Sequence, residues 1–116
     1  MGKQKKTTSG PYEVRISVNA LLNIDEITGY IAFIAHSPQN AIKAGDAILE
    51  TIDRISKNPV AFRECEQLRT NTKKYRRALC MAWQIIFRVS GNSIVILGII
   101  HSSRRPSEVK KLRRIT

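Results

Sequence analysis

The side chains able to do chemistry are few, apart from one abundant kind. There are two histidines, His36 and His101, and two cysteines, Cys65 and Cys80. The cysteines stand fifteen residues apart with no CxxC spacing, which argues against a disulfide framework and against a zinc site. No metal and no cofactor is expected. The abundant chemistry is cationic: 20 Lys and Arg against 9 Asp and Glu give a formal charge of +11. Residues 11–62 carry four positive and six negative side chains, whereas residues 63–116 carry thirteen positive and three negative. A near-neutral first half joined to a strongly basic second half points to a polyanionic or acidic partner, such as nucleic acid, a ribosome or an acidic protein.

The elements that must position these groups follow from periodicity. Tyr12–Val18 alternates apolar and polar side chains, as a half-buried strand does. Asn19 is placed to cap the helix that follows. There Ala20, Ile24, Ile27, Ile31 and Ile34 step by four and three along one helical stripe. Ser37-Pro38 opens a second helix, with Pro in the first turn where its missing N–H is harmless. Its stripe is Ala41, Gly45, Ile48, Ile52 and Ile55, and it stops before Asn58-Pro59. His36, at a helix terminus, reads as compensating the dipole rather than as a ligand. Residues 60–72 lose periodicity and read as a loop.

Three strands are expected next, at Lys74–Cys80, Ala82–Val89 and Ser93–His101. A Gly91-Asn92 turn joins the last two. That turn pairs Arg88 with Val95, Gln84 with Ile99 and Ala82 with His101. Trp83, Ile85, Phe87 and Val89 then share a face with Ile94, Ile96 and Ile100, beneath the helices. Gln84, Ile86, Arg88, Val95, Leu97, Ile99 and His101 form the other face, expected to be the working surface, open or covered by a partner. Neighbours alternate, so one of Arg76 and Arg77 points onto it. The expected fold is α+β, β-α-α-β-β-β, a mostly antiparallel four-stranded sheet with a helical hairpin packed on one face. Residues 12–105 form the domain, 1–11 a flexible basic arm, and 106–116 a basic C-terminal tail or short helix. The longest apolar run, Ile94–Ile100, is far short of the ~20 residues that span a bilayer, so no membrane is expected. Without an apolar stretch near Lys3, Lys5 and Lys6, no secretory signal is read, and a reduced, cytoplasmic protein is expected.

This order of elements, with Tyr75-Arg76-Arg77, Trp83-Gln84-Ile85-Ile86-Phe87-Arg88-Val89 and a closing strand Ile94–His101 followed by Ser102-Ser103-Arg104-Arg105, resembles the RelE/ParE toxin superfamily. The resemblance covers Tyr12 to Pro106. It implies a growth-inhibiting toxin of a type II toxin–antitoxin pair, of the kind that stabilises plasmids, neutralised by a cognate antitoxin. RelE-like members are ribosome-dependent mRNA endonucleases. ParE-like members share the fold and inhibit DNA gyrase.

Metal-free RNA cleavage needs a base for the 2′-hydroxyl, cations for the phosphate and an acid for the leaving oxygen. Glu66, in Glu66-Gln67-Leu68, resembles the segment that supplies a carboxylate base in some nuclease members. His101 matches the catalytic position at the end of the last strand, and Arg77 and Arg88 are the phosphate-neutralising candidates. Each has a plainer reading as well: His101 as an imidazole bonded to backbone, Glu66 as half of an ion pair with Arg69, Trp83 as core. The departure from the nuclease pattern is Gln84, where active members commonly carry Arg; losing such a donor costs ~3 kcal/mol of transition-state stabilisation. Nor does any Tyr follow His101 to stack on a base. These departures favour the ParE-like branch, with Arg76, Arg77, Arg104, Arg105, Lys110 and Lys111 as target-binding residues and DNA gyrase as target. The alternatives are a RelE-like endonuclease acting on ribosome and mRNA, and a non-toxic basic nucleic-acid-binding module.

Overall fold

The computed structural model describes residues 12–115; the expected basic arm over 1–11 and Thr116 lie outside the described residues. In chain order the elements are β1 (Glu13–Ile16), α1 (Val18–Gly29), a π-turn (Tyr30–Ile34) and α2 (Pro38–Lys57). A 3-10 turn (Pro59–Ala61), β2 (Arg63–Glu64) and a second 3-10 turn (Glu66–Leu68) follow. Then come β3 (Tyr75–Cys80), β4 (Trp83–Ser90), β5 (Ser93–His101), α3 (Pro106–Lys110) and a closing 3-10 turn (Lys111–Arg114). The sheet has five strands in the order β1-β5-β4-β3-β2. β1 runs parallel to β5, and the other neighbours are antiparallel. The expected α+β class holds. The fifth strand is the two-residue β2, inside the segment read as a loop and too short to show alternation.

The helical hairpin forms because α1 and α2 each bury one stripe. Ala20 on α1 and Ala41, Ala44, Ile48, Ile52 and Ile55 on α2 are buried, with Ile24 and Ile27 packed against the same core. Each fully buried Ile contributes about 1.5–3 kcal/mol. Ile34 breaks the expected stripe and is 63% exposed. Its cause is the π-turn, in which the Ala35 N–H bonds Tyr30 O, five residues back, at 3.0 Å. One extra residue in that turn rotates Ile34 away from the sheet. His36 then reverses the chain with φ 54°, exposed, and the next helix starts at Pro38.

The cap of α1 is Ser17 rather than Asn19. Ser17 Oγ accepts the Ala20 N–H at 3.0 Å, so β1 ends earlier than the alternation suggests. Asn19 and Asn23 serve β5 instead. β1 pairs with β5 only as far as Ile96, which leaves the outer edge of Leu97–His101 without a strand partner. Leu97 O accepts hydrogen bonds from Ser17 Oγ (3.1 Å) and Asn19 Nδ2 (2.9 Å). The Ile99 N–H donates to Asn23 Oδ1 at 2.9 Å. Buried backbone groups must be paired, and here a helix side pairs them where the strand has run out.

The β4–β5 register follows the expected pairing from Ser90↔Ser93 to Phe87↔Ile96, Arg88↔Val95 included. A bulge then intervenes: Ile86 pairs with Gly98, Ile85 with Ile99, Gln84 with Ile100 and Trp83 with His101. One extra residue on β5 exchanges the faces of everything beyond it. Ile99 joins the core under the helices and Ile100 packs against the opposite one, the reverse of the sequence expectation.

That opposite face is neither open nor in need of a partner to cover it. Cys65, Leu68, Tyr75, Ile86, Val95, Leu97, Val109 and Leu112 form a second core there. Its lid is the chain's own: the Glu66–Leu68 turn brings Leu68, and the C-terminal segment brings Val109 and Leu112. Pro106 starts α3 at a position that lacks the need for an N–H, and one apolar side chain per turn suffices to seat so short an element. Gly98 lies where lid, sheet and α1 converge. A Cβ there would stand 2.9 Å from Leu112 Cδ2, 3.0 Å from Asn19 Nδ2 and 3.1 Å from Asn23 Oδ1.

Candidate functional site

Register places Arg88 and Arg77, and the bulge places His101. Arg88 pairs across the sheet with Tyr75 and Val95, both in the second core, so it belongs to the lid side. Its Nη1 donates to Ile115 O at 3.1 Å, which ties the guanidinium to the end of the lid. Arg77 stands opposite Ile86 and shares that side, half-buried. Its charge acts on the buried Cys65 thiol, whose pKa nonetheless lies above the ordinary value because burial outweighs the hydrogen bonds and the guanidinium. Glu66 opens the turn that carries Leu68 and is exposed, forming no ion pair with Arg69. Gln84 lies on the lid side too, half-buried between Leu79 and Ile100.

His101 is on the other side. It pairs with Trp83, and the two rings meet edge to face at 6.2 Å between centroids. The Ser103 N–H donates to Nδ1 at 3.2 Å, and Ser103 Oγ lies 2.8 Å from the same atom. This local turn holds the imidazole against Trp83, with Nε2 as its remaining nitrogen. The expectation that Arg88 and His101 stand on one face is therefore corrected. The bulge at Ile86/Phe87 puts the sheet between them.

Arg76 alternates to the helix side, where its Nη1 donates to Phe62 O at 2.7 Å and to Val60 O at 3.4 Å. It holds the chain crossing that leads into β2. Of the two arginines left undecided by alternation, Arg77 is the one on the lid side.

The remaining basic candidates gather around the C-terminal end of β5. Arg105 is exposed at the start of α3. Arg104 and Lys111 line a groove of ≈ 820 Å³ with Tyr30, Trp83, His101 and Glu26. α1 supplies one wall, β5 the floor and α3 the other wall. Lys111 also pairs with Glu108 at 3.4 Å, an exposed contact contributing about 0–1 kcal/mol. The groove thus combines the rings of Tyr30 and Trp83 with Arg104, His101, Lys111 and the carboxylates Glu26 and Glu108, a surface suited to holding a side chain or short peptide. Tyr30, 61% exposed, was not singled out from the sequence. The signal that could have found it is its place beside an apolar stripe, next to Gly29 and outside the buried positions.

Lys110 points to a different place, a smaller cleft of ≈ 460 Å³ shared with Gln67, Arg113 and Arg114. No group of three or more His, Cys, Asp or Glu capable of holding a metal ion occurs among the described residues. No helix among them is long and apolar enough to cross a membrane.

Comparison with known proteins bears on this arrangement. A family model described as the ParE toxin of the type II toxin–antitoxin system parDE matches residues 14–106. Among solved structures, the chain is similar to one described as the chromosomal ParDE toxin–antitoxin system from P. aeruginosa. The TM-score is 0.59 at 22% sequence identity, over 76% of this chain and 92% of that one. No curated protein matches the chain. The matched range closes at Pro106, so the C-terminal part of the lid, which brings Val109 and Leu112, lies beyond it.

Proposed function

We propose a binding mode of action for this chain, which belongs to the ParE toxin family of type II toxin–antitoxin systems: it arrests growth in the cytoplasm by docking on DNA gyrase and blocking supercoiling, and a cognate antitoxin neutralises it. The observation that carries this reading is the separation of His101 from the other three side chains a metal-free ribonuclease would use, Glu66, Arg77 and Arg88, which lie on the lid side. Arg88 is tied to Ile115 O on one side of the sheet, and His101 packs on Trp83 on the other. Glu66 stands exposed on the lid turn. General acid–base chemistry requires base, acid and phosphate cations within reach of a single scissile bond. A set divided by a sheet does not offer that, whereas a groove that places Arg104, Lys111, Glu26 and Glu108 around Tyr30 and Trp83 offers a docking surface.

In this reading Arg104 and Lys111 at the groove, with the exposed Arg105 that precedes α3, steer and hold the target. Rim charges act chiefly on association rate and confer salt sensitivity. The antitoxin covers the same groove, with carboxylates opposite these cations and an apolar side chain over Tyr30 and Trp83.

The test is to titrate purified protein into a gyrase supercoiling reaction. Inhibition that weakens roughly tenfold or more in an R104E/K111E variant is the expected result, a loss of at least ~1.4 kcal/mol. Undiminished supercoiling at saturating protein, with discrete mRNA cleavage on translating ribosomes that R88A and H101A each abolish, would replace this reading by the endonuclease one.

A further inference from the structure

The lid carries a cationic cleft that the reading above does not use. Lys110, Arg113 and Arg114 line it together with Gln67, and no carboxylate does. Their spacing of three and four residues puts the three cations on one side of the segment, while Val109 and Leu112 face down into the second core. Like charges at that spacing repel one another and weaken a helical turn. None of the three has an ion-pair partner among the described residues, whereas their neighbour Lys111 has Glu108. The nearest acid in sequence is Glu66, adjacent to Gln67 and exposed, outside the cleft's lining. Gln67 accepts from the Cys65 thiol through Oε1 at 3.6 Å, which leaves its amide NH2 as a free donor. Three cations without a carboxylate partner, Arg113 resting over the Tyr75 ring, and a neutral donor around one concavity form a site for an anion with several oxygens.

We propose that this cleft binds the phosphate backbone of duplex DNA. Duplex is favoured over single strands because the cleft has no ring for a base to stack on. The one aromatic side chain of the second core, Tyr75, is 5% exposed. Its ring faces are taken by Lys74 at 5.6 Å and Arg113 at 5.9 Å. Single-strand recognition relies on such stacking, whereas duplex binding through the backbone needs only convergent cations. The three cations of the site lie beyond the family-matched residues, while Gln67 lies within them. The proposal does not rest on the gyrase reading, and either can fail without the other.

The experiment is fluorescence anisotropy of a labelled duplex of about 20 base pairs with the full chain, across a salt series; each phosphate contact adds about 0.9 to the log–log salt slope. K110Q/R114Q is expected to make that slope shallower by about two and to weaken binding at low salt. K110R/R114K, which keeps the charges, should leave the slope unchanged. R15Q/K43Q removes two exposed charges from β1 and α2 and should also leave it unchanged. Absence of binding at low salt, or an equal loss in R15Q/K43Q, would overturn the proposal by reducing the effect to net charge. Tighter binding of a single-stranded RNA of equal length, or displacement by inorganic phosphate at constant ionic strength, would overturn the duplex assignment.

Discussion

The two faces of the sheet are closed by opposite means. One is covered by thirty-two residues of regular helix, α1 and α2, whose stripes lay Ile48, Ile52 and Ile55 over Ile85, Phe87, Ile94 and Ile96. The other is covered by irregular pieces, two 3-10 turns and a five-residue helix, each contributing one apolar side chain. The helical cover is near neutral, and the irregular lid carries the cations. A long amphipathic helix supplies stability through area, whereas a short lid does so through a few anchors and leaves its outer surface free for charge. Most of the buried helical area and most of the cationic charge thereby fall on different faces.

The largest effect that separates the two covers is the loss of an anchor from each. Phe87→Ala, which removes the ring stacked edge-on at 5.9 Å to Phe62, should cost about 3–5 kcal/mol in urea unfolding. Leu112→Ala should cost about 2–3 kcal/mol, near the lower end for Leu because a thin lid can settle into the space. A Leu112→Ala variant as stable as the parent would mean that the second face is not closed by this segment.

How much of this was legible in the sequence follows the same division. The hairpin, the three long strands and the Arg88↔Val95 register could be read because each repeats a period over several residues. The lid could not. Val109 and Leu112 are two apolar residues in a basic run, too few to register as a pattern, and β2 has two residues in all. The bulge was invisible because β5 is apolar from Ile94 to Leu97 and again at Ile99 and Ile100, so either parity reads as plausible. Its signature was Gly98, the residue in that run without a side chain, and the side chains that bond the bulged strand's backbone, Asn19 and Asn23, lie far away in sequence. For the site, residue types were legible and Arg88 lies on its expected face, but the bulge moved His101 to the other one.

Gly98→Ala sharpens this point. A methyl 2.9 Å from Leu112 Cδ2 and 3.0 Å from Asn19 Nδ2 overpacks the junction of lid, helix and bulge. A loss of about 1–3 kcal/mol is expected, with the midpoint of thermal unfolding as readout. Asn23→Ala comes next: it strands the Ile99 N–H, at about 1–2 kcal/mol, with faster amide exchange at Ile99 than at Ile94.

The smallest effect concerns Cys65 on the lid side. Burial raises its folded thiol pKa above the unfolded value, so the native state holds the proton more tightly. The resulting stability is present below the unfolded thiol pKa of about 8.5 and is lost as pH rises through the folded value. Relative to Cys65→Val, the parent chain should therefore lose stability only on the alkaline side. A difference constant with pH would contradict this.

The arrangement that divides Arg88 from His101 can be observed directly by nuclear Overhauser contacts in the full chain. Leu112 methyls are expected to show cross-peaks to Ile86 and Leu97 methyls and to the Gly98 α-protons, and the His101 ring to show them to the Trp83 ring. Cross-peaks from the His101 ring to Val95 or to the Arg88 side chain, with none from Leu112 to the sheet, would contradict the account.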